Sequence, residues 1–142
     1  MIDKKFAVVE KQFEYKGRDC IIVFNRNGYR CGYISVKKEV GGYNHRIEPF
    51  YVDLDIDSVT LTFGGTLPSH YSPKETYYIG YDCGHIGQGI DKSLILKYGL
   101  LSESEVDKLY AFPDDVPVSL DECIEICKNL VDELEEKYKG EF

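Results

Sequence analysis

Asp82-Cys83-Gly84-His85 places a carboxylate, a thiol and an imidazole within four residues. A thiol beside an imidazole can ionise to a thiolate–imidazolium pair, the usual way a cysteine becomes a nucleophile. In an extended segment residues 83 and 85 point to the same side. This spacing supports a small hydrolase or transferase with Cys83 as nucleophile, His85 as base, and Asp82 or Asp57 in support. Such chemistry also needs an orienting third group and an oxyanion site. The glycines that follow, Gly84, Gly87 and Gly89, offer backbone N–H groups but no defined helix N-terminus. Their spacing matches neither phosphate-binding glycine pattern. The competing reading packs Cys83 in the core and leaves His85 to hydrogen-bond loop backbone.

Three other groupings bear on chemistry. Tyr33, Tyr43, Tyr51, Tyr71, Tyr77, Tyr78 and Tyr81 crowd the middle of the chain. Tyrosine presents a flat ring and one hydroxyl, which suits ligand stacking and interfaces as well as core packing. Asp53, Asp55 and Asp57 share one face if that stretch is extended, as a hard-cation site or as a solvated acidic strand. Cys20, Cys31, Cys83, Cys123 and Cys127 would suffice in number for zinc. None of them forms a C-x-x-C pair, and Cys123 and Cys127 fit a helix stripe. No metal and no cofactor is expected.

Bulk properties narrow the classes. The 142 residues carry 17 Lys+Arg against 25 Asp+Glu, a net charge of −8. That length suits one domain over residues 1–142. Acidity disfavours nucleic acid as a general partner, since phosphate binding needs a basic footprint. The charge is uneven: residues 1–40 sum to +4, residues 41–120 to −7 and residues 121–142 to −5. Local anion binding near Arg18, Arg26 or Arg30 is therefore compatible with the total. No apolar run reaches the roughly 18 residues of a membrane span, and no signal peptide is visible. An odd cysteine count without such a signal argues against a disulfide framework. The expected location is the cytoplasm.

The elements that must position these groups follow from periodicity. Gln12–Lys16 reads as a short first strand, turned at Lys16–Asp19. Cys20–Phe24 is a β-branched apolar strand. Asn25-Arg26-Asn27-Gly28 is a hairpin signal, and Tyr29–Val36 returns from it. Residues 37–52 read as irregular, and Tyr51–Asp57 alternates. Val59–Phe63 reads as a strand ending at Gly64-Gly65, and Glu75–Asp82 as a further strand. Asp91–Tyr98 suits a short helical turn. Ser102-x-x-Glu105 opens a short helix to about Phe112, and Ser119-x-x-Glu122 opens a long one over about 120–138. In the long helix Leu120, Cys123, Ile126, Cys127, Leu130, Val131 and Leu134 form one apolar stripe. The expected fold is α+β: an antiparallel sheet of about five strands with the C-terminal amphipathic helix packed on one face.

The stretch Tyr77-Tyr78-Ile79-Gly80-Tyr81-Asp82-Cys83-Gly84-His85-Ile86-Gly87 resembles the motif W-W-x-G-F-D-C-x-H-x-G-D. That motif belongs to a family of small, mostly uncharacterised proteins of phages, prophages and Gram-positive bacteria. Phe13–Cys20 is similar to the family's F-x-Y-x-G-x-x-C opening, and Gly28–Ile34 to its G-x-R-C-G-Y-[VI] block. Leu61-Thr62-Phe63 is similar to its H-G-G-L-T-[FY] block. The departures are Ser58-Val59-Thr60 in place of His-Gly-Gly, Tyr77-Tyr78 in place of the paired Trp, and Gln88 in place of the last Asp. Loss of the second histidine weakens an acid–base or metal role and leaves stacking intact.

The resemblance implies an accessory protein of phage or mobile-element origin, acting in the host cytoplasm if phage-encoded. Such factors include inhibitors of host defence that act by protein contact or by sequestering a nucleotide signal. The leading expectation is a non-enzymatic binding protein for a nucleotide-like small molecule or a host protein. Tyr77, Tyr78, Asp82 and His85 would form the site, with Arg30 as an anion contact. The alternatives are the Cys83–His85 enzyme and a homo-oligomer with a tyrosine-rich interface.

Overall fold

A computed structural model describes residues 6–38, 54, 56–85 and 87–142. Five strands form one antiparallel sheet: β1 (Ala7–Tyr15), β2 (Arg18–Asn25), β3 (Arg30–Val36), β4 (Phe63–Thr66) and β5 (Tyr77–Asp82). Their spatial order is β1-β2-β3-β5-β4. Three helices follow: α1 (Lys92–Lys97), α2 (Glu103–Asp107) and α3 (Leu120–Tyr138). The architecture is the expected α+β arrangement with the C-terminal helix on the sheet.

Local chemistry explains the meander. Lys16 and Gly17 turn β1 into β2 with φ of 49° and 78°. Two left-handed residues give the twist a tight hairpin needs. In the next turn Asn25 Oδ1 accepts from the Asn27 N–H at 2.9 Å, and Gly28 takes φ 93°. A side chain at Gly28 would also meet Ile90 at 2.8 Å.

Alternation splits the sheet residues between two faces. Cys20, Ile22, Ile34, Val36, Ile79, Tyr81 and Cys83 face α3 and meet Cys123, Cys127, Leu130, Val131 and Leu134. Ile21, Val23 and Tyr78 lie on the other face with Tyr33, Phe63, Leu67 and Tyr71. Phe24, Ile95, Leu100 and Val106 close a third cluster against α1 and α2. Burying each large side chain contributes roughly 1.5–3 kcal/mol.

β3 and β5 are joined by two reciprocal pairs. Gly32 lies opposite Tyr81, and Tyr33 lies opposite Gly80. Tyr81 covers Gly32 on the α3 side, where a Cβ would come within 2.4 Å of its hydroxyl. Tyr33 covers Gly80 on the far side, where a Cβ would come within 2.4 Å of its ring. Each glycine makes room for a ring that crosses the neighbouring strand.

α3 begins as its sequence predicts. The Ser119 side chain accepts from the Glu122 N–H and Glu122 reaches back to Ser119. Its polar flank is tied to the first hairpin. Arg18 donates to Glu135 from Nη2 at 2.6 Å, and Lys16 Nζ lies 2.6 Å from Asp132.

Three boundaries differ most from expectation. β1 extends back to Ala7, because it pairs with β2 along its whole length through a bulge between Val9 and Lys11. β4 begins at Phe63 and contains Gly64-Gly65 instead of ending there. The cause is register: Phe63 sits opposite Gly80, with its ring edge-on to Tyr33 at 5.3 Å. Val59 and Leu61 pack on the α3-side core without joining a strand. α2 ends at Asp107, well short of Phe112, since Val106 is its one buried residue and Pro113 disfavours helix at the residue before it. The alternating stretch Tyr51–Asp57 lies outside the described residues except at Leu54, Ile56 and Asp57.

Candidate functional site

β5 carries the Asp-Cys-Gly-His segment to the end of the sheet, and alternation separates its members. Cys83 turns toward α3, where its Sγ lies 3.6 Å from Cys123 Sγ. That hydrogen bond, with burial, pushes the Cys83 thiol far above its ordinary range. Asp82 takes the opposite face. Its Oδ1 accepts from the Gly84 N–H at 2.9 Å and lies 3.5 Å from His85 Nδ1. No hydrogen bond links Cys83 to the His85 ring among the described residues. The structure therefore brings Asp82 and His85 together and leaves Cys83 apart from both.

The remaining candidates are scattered. Tyr77 and Asp82 stand at opposite ends of β5, about 16 Å apart at the strand rise. Tyr77 lines a cleft of 510 Å³ with Thr66, Ser69, Lys74 and Thr76. Tyr78 is fully buried, and its hydroxyl shares a 3.1 Å hydrogen bond with Ser72 Oγ. Arg30 is buried as well. Its Nε lies 2.6 Å from Glu10 Oε1, its Nη1 donates to the Val118 carbonyl at 2.9 Å, and its guanidinium lies over the Phe24 ring. An anion would have to displace Glu10 to reach it. Arg18 is likewise occupied by Glu135 and by the Ser35 and Phe142 carbonyls.

Other sequence candidates have structural occupations. Burial first, and then the Asp82 charge, pushes the Cys31 thiol up to about 12. Cys20 is raised to about 12, mainly by burial. Tyr33 and Tyr71 pack with Phe63 on the far face. The Tyr81 hydroxyl donates to the Cys123 carbonyl at 2.9 Å. Asp57 pairs with Lys137 at 3.0 Å. Tyr43, Tyr51, Asp53 and Asp55 lie outside the described residues. Among the described residues no group of three or more His, Cys, Asp or Glu is placed to hold a metal ion. No helix among them is long and apolar enough to cross a membrane.

A surface does form around His85, partly from residues without a motif. The His85 N–H donates to Gln88 Oε1 at 3.0 Å, and the Gln88 N–H returns to the His85 carbonyl at 3.0 Å. Gly87 completes this small ring with φ 88°. Gly89 donates to the Val116 carbonyl at 3.0 Å, and a Cβ there would meet the Asp115 carbonyl at 2.7 Å. The His85 loop is thus locked to the loop that follows α2. Between them lies a cleft of 210 Å³ lined by His85, Gln88, Tyr110, Phe112 and Asp115. The Tyr110 and Phe112 rings meet edge-on at 4.9 Å and stand largely in solvent.

Sequence reasoning missed Tyr110 and Phe112 by extending α2 through them. The available signal was two aromatics in alternation just before Pro113-Asp114-Asp115, beyond the reach of any apolar stripe. Comparison with protein-family models finds no match, and comparisons with curated proteins and with solved structures find none either.

Proposed function

We propose that this chain is a non-enzymatic binding protein that works by contact with a protein partner. The observation that carries this reading is the exposed Tyr110–Phe112 pair beside the His85 cleft. Aromatic side chains left in solvent are the common anchors of protein interfaces. The burial of Cys83 against Cys123, with no hydrogen bond to the His85 ring among the described residues, favours binding over nucleophilic catalysis, because catalysis needs an accessible thiolate beside a base. The internal pairing of Arg30 and Arg18 favours a protein over a nucleotide-like ligand. The resemblance to phage-associated accessory proteins supplies the setting: an origin in a phage or mobile element and a target among bacterial defence proteins.

Thermal shift of the purified protein against a panel of nucleotides and purified bacterial defence proteins tests this reading. A defence protein should raise the melting temperature of the wild type. The Tyr110→Ala/Phe112→Ala variant should lose that shift while keeping its own fold. A shift produced by nucleotides alone, or one indifferent to the two aromatic substitutions, would overturn it.

A further inference from the structure

The loops that wall the His85 cleft change character from centre to rim. Tyr110, Phe112 and Val116 are 76%, 61% and 74% exposed, the highest values of any large apolar residue described. They fall within seven residues of one another. Around them the chain is acidic: residues 102–122 hold seven carboxylates and one lysine.

Several of these carboxylates differ in their pairing from the acids in the middle of α3. Asp132, Glu135 and Glu133 are neutralised within the fold by Lys16, Arg18 and Lys137. Asp107, Asp114, Asp115 and Asp121 form no ion pair among the described residues. Those three acids of α3 are therefore compensated internally, whereas Asp115 in the wall of the aromatic cleft and its neighbour Asp114 present uncompensated charge.

Resting on the binding reading above, the geometry points to a cationic protein segment as the occupant, an arginine or lysine set beside a large apolar residue. Exposed aromatic faces attract a guanidinium. Unpaired carboxylates at the rim steer a basic partner and repel phosphate-bearing ones. The cleft is 210 Å³, below the roughly 300–1,000 Å³ of small-molecule sites. It suits one side chain of a longer segment. Asp115 lines that cleft and supplies its carboxylate for the incoming cation in this proposal.

The test uses the full chain and three probes: a twelve-residue peptide alternating Arg and Leu, its Glu-for-Arg counterpart, and ATP. Amide chemical shifts are followed at residues 84–89 and 110–116, and affinities are fitted. The Arg–Leu peptide should move these amides, and its binding should weaken as salt rises. Affinity should fall by about tenfold or more in Tyr110→Ala/Phe112→Ala and by about tenfold in Asp114→Asn/Asp115→Asn. It should stay within about twofold in Glu125→Gln/Glu136→Gln, exposed acids of α3. Equal loss in that α3 variant would reduce the effect to net charge and overturn the proposal. Preferential movement by the Glu–Leu peptide or ATP would overturn the cationic occupant while leaving a binding site in place. A concentration-dependent dimer abolished by the aromatic variant would overturn it in favour of a second copy of this chain. No movement with any probe would also overturn it. The binding reading falls separately, if the aromatic variant keeps the thermal shift given by a defence protein.

Discussion

Cys83 Sγ lies 3.6 Å from Cys123 Sγ, so the end of β5 meets the first turn of α3 through two thiols. Both sulfurs are enclosed by the core. Alternation along β5 sends Asp82 to one face and Cys83 to the other, while His85 stays on the surface loop. An orienting carboxylate and an imidazole are adjacent, but the nucleophile is on the far side of the sheet.

Cys83 and Cys123 should therefore resist alkylation in the folded protein. Iodoacetamide near neutral pH should label both at least about a hundredfold more slowly than after unfolding in urea, because labelling must wait for local opening. Peptide mapping by mass spectrometry reads the two rates. Rapid native labelling at Cys83 would contradict the enclosed geometry.

Gly32→Ala and Gly80→Ala should each destabilise the protein by about 1–3 kcal/mol, the usual cost of overpacking a core. In each case the new methyl meets a tyrosine ring at under 3 Å. Tyr81 has little freedom to swing aside, since its hydroxyl donates to the Cys123 carbonyl. Urea denaturation of the two variants supplies the comparison, and a neutral Gly32→Ala would contradict the ring-over-glycine packing.

Glu10→Ala should cost about 3–5 kcal/mol, because it leaves the buried Arg30 guanidinium without its counter-charge. Tyr98→Phe should cost about 1 kcal/mol. It removes one hydrogen bond, from the Tyr98 hydroxyl to Glu10 Oε2 at 2.7 Å, and keeps the ion pair. The ranking of the two variants in urea midpoints checks the arrangement.

Acid stability should carry the signature of Glu133. Burial works against its charged form. The Asp57 and Ser58 backbone N–H groups and the Lys137 ammonium outweigh this and hold its pKa down at about 2, against an ordinary 4.5. A carboxylate depressed on folding adds stability that is complete above its unfolded pKa and fades as pH falls toward its folded one. Glu133→Gln should lower the melting temperature at pH 7 and flatten its fall between about pH 4.5 and 2. Parallel melting curves across that window for wild type and variant would contradict the assignment.

Much of the frame was legible along the chain because its signals are local. The β-branched run Cys20–Phe24, the Asn-Gly turn and the serine–glutamate capping boxes each depend on a few neighbouring residues. The stripe of α3 was readable for the same reason. β4 was misplaced because its register depends on Tyr33, thirty residues away, whose ring lies over Gly80 and edges Phe63. The Tyr77, Tyr78, Asp82, His85 and Arg30 grouping looked coherent in the sequence, but strand geometry disperses it. A strand holds neighbours 3.3 Å apart and turns alternate side chains away from one another.

Sequence alone determined the class of elements, their order, the caps and the acidic balance, since these rest on periodicity and on contacts within a turn. Tertiary structure alone decided which charges remain available. It buries Arg30 on Glu10, ties Arg18 to Glu135, and leaves Asp114 and Asp115, beside two exposed rings, without an ion pair among the described residues. Pairing and burial depend on distance in space, and the partners here lie 20 and 117 residues apart along the chain.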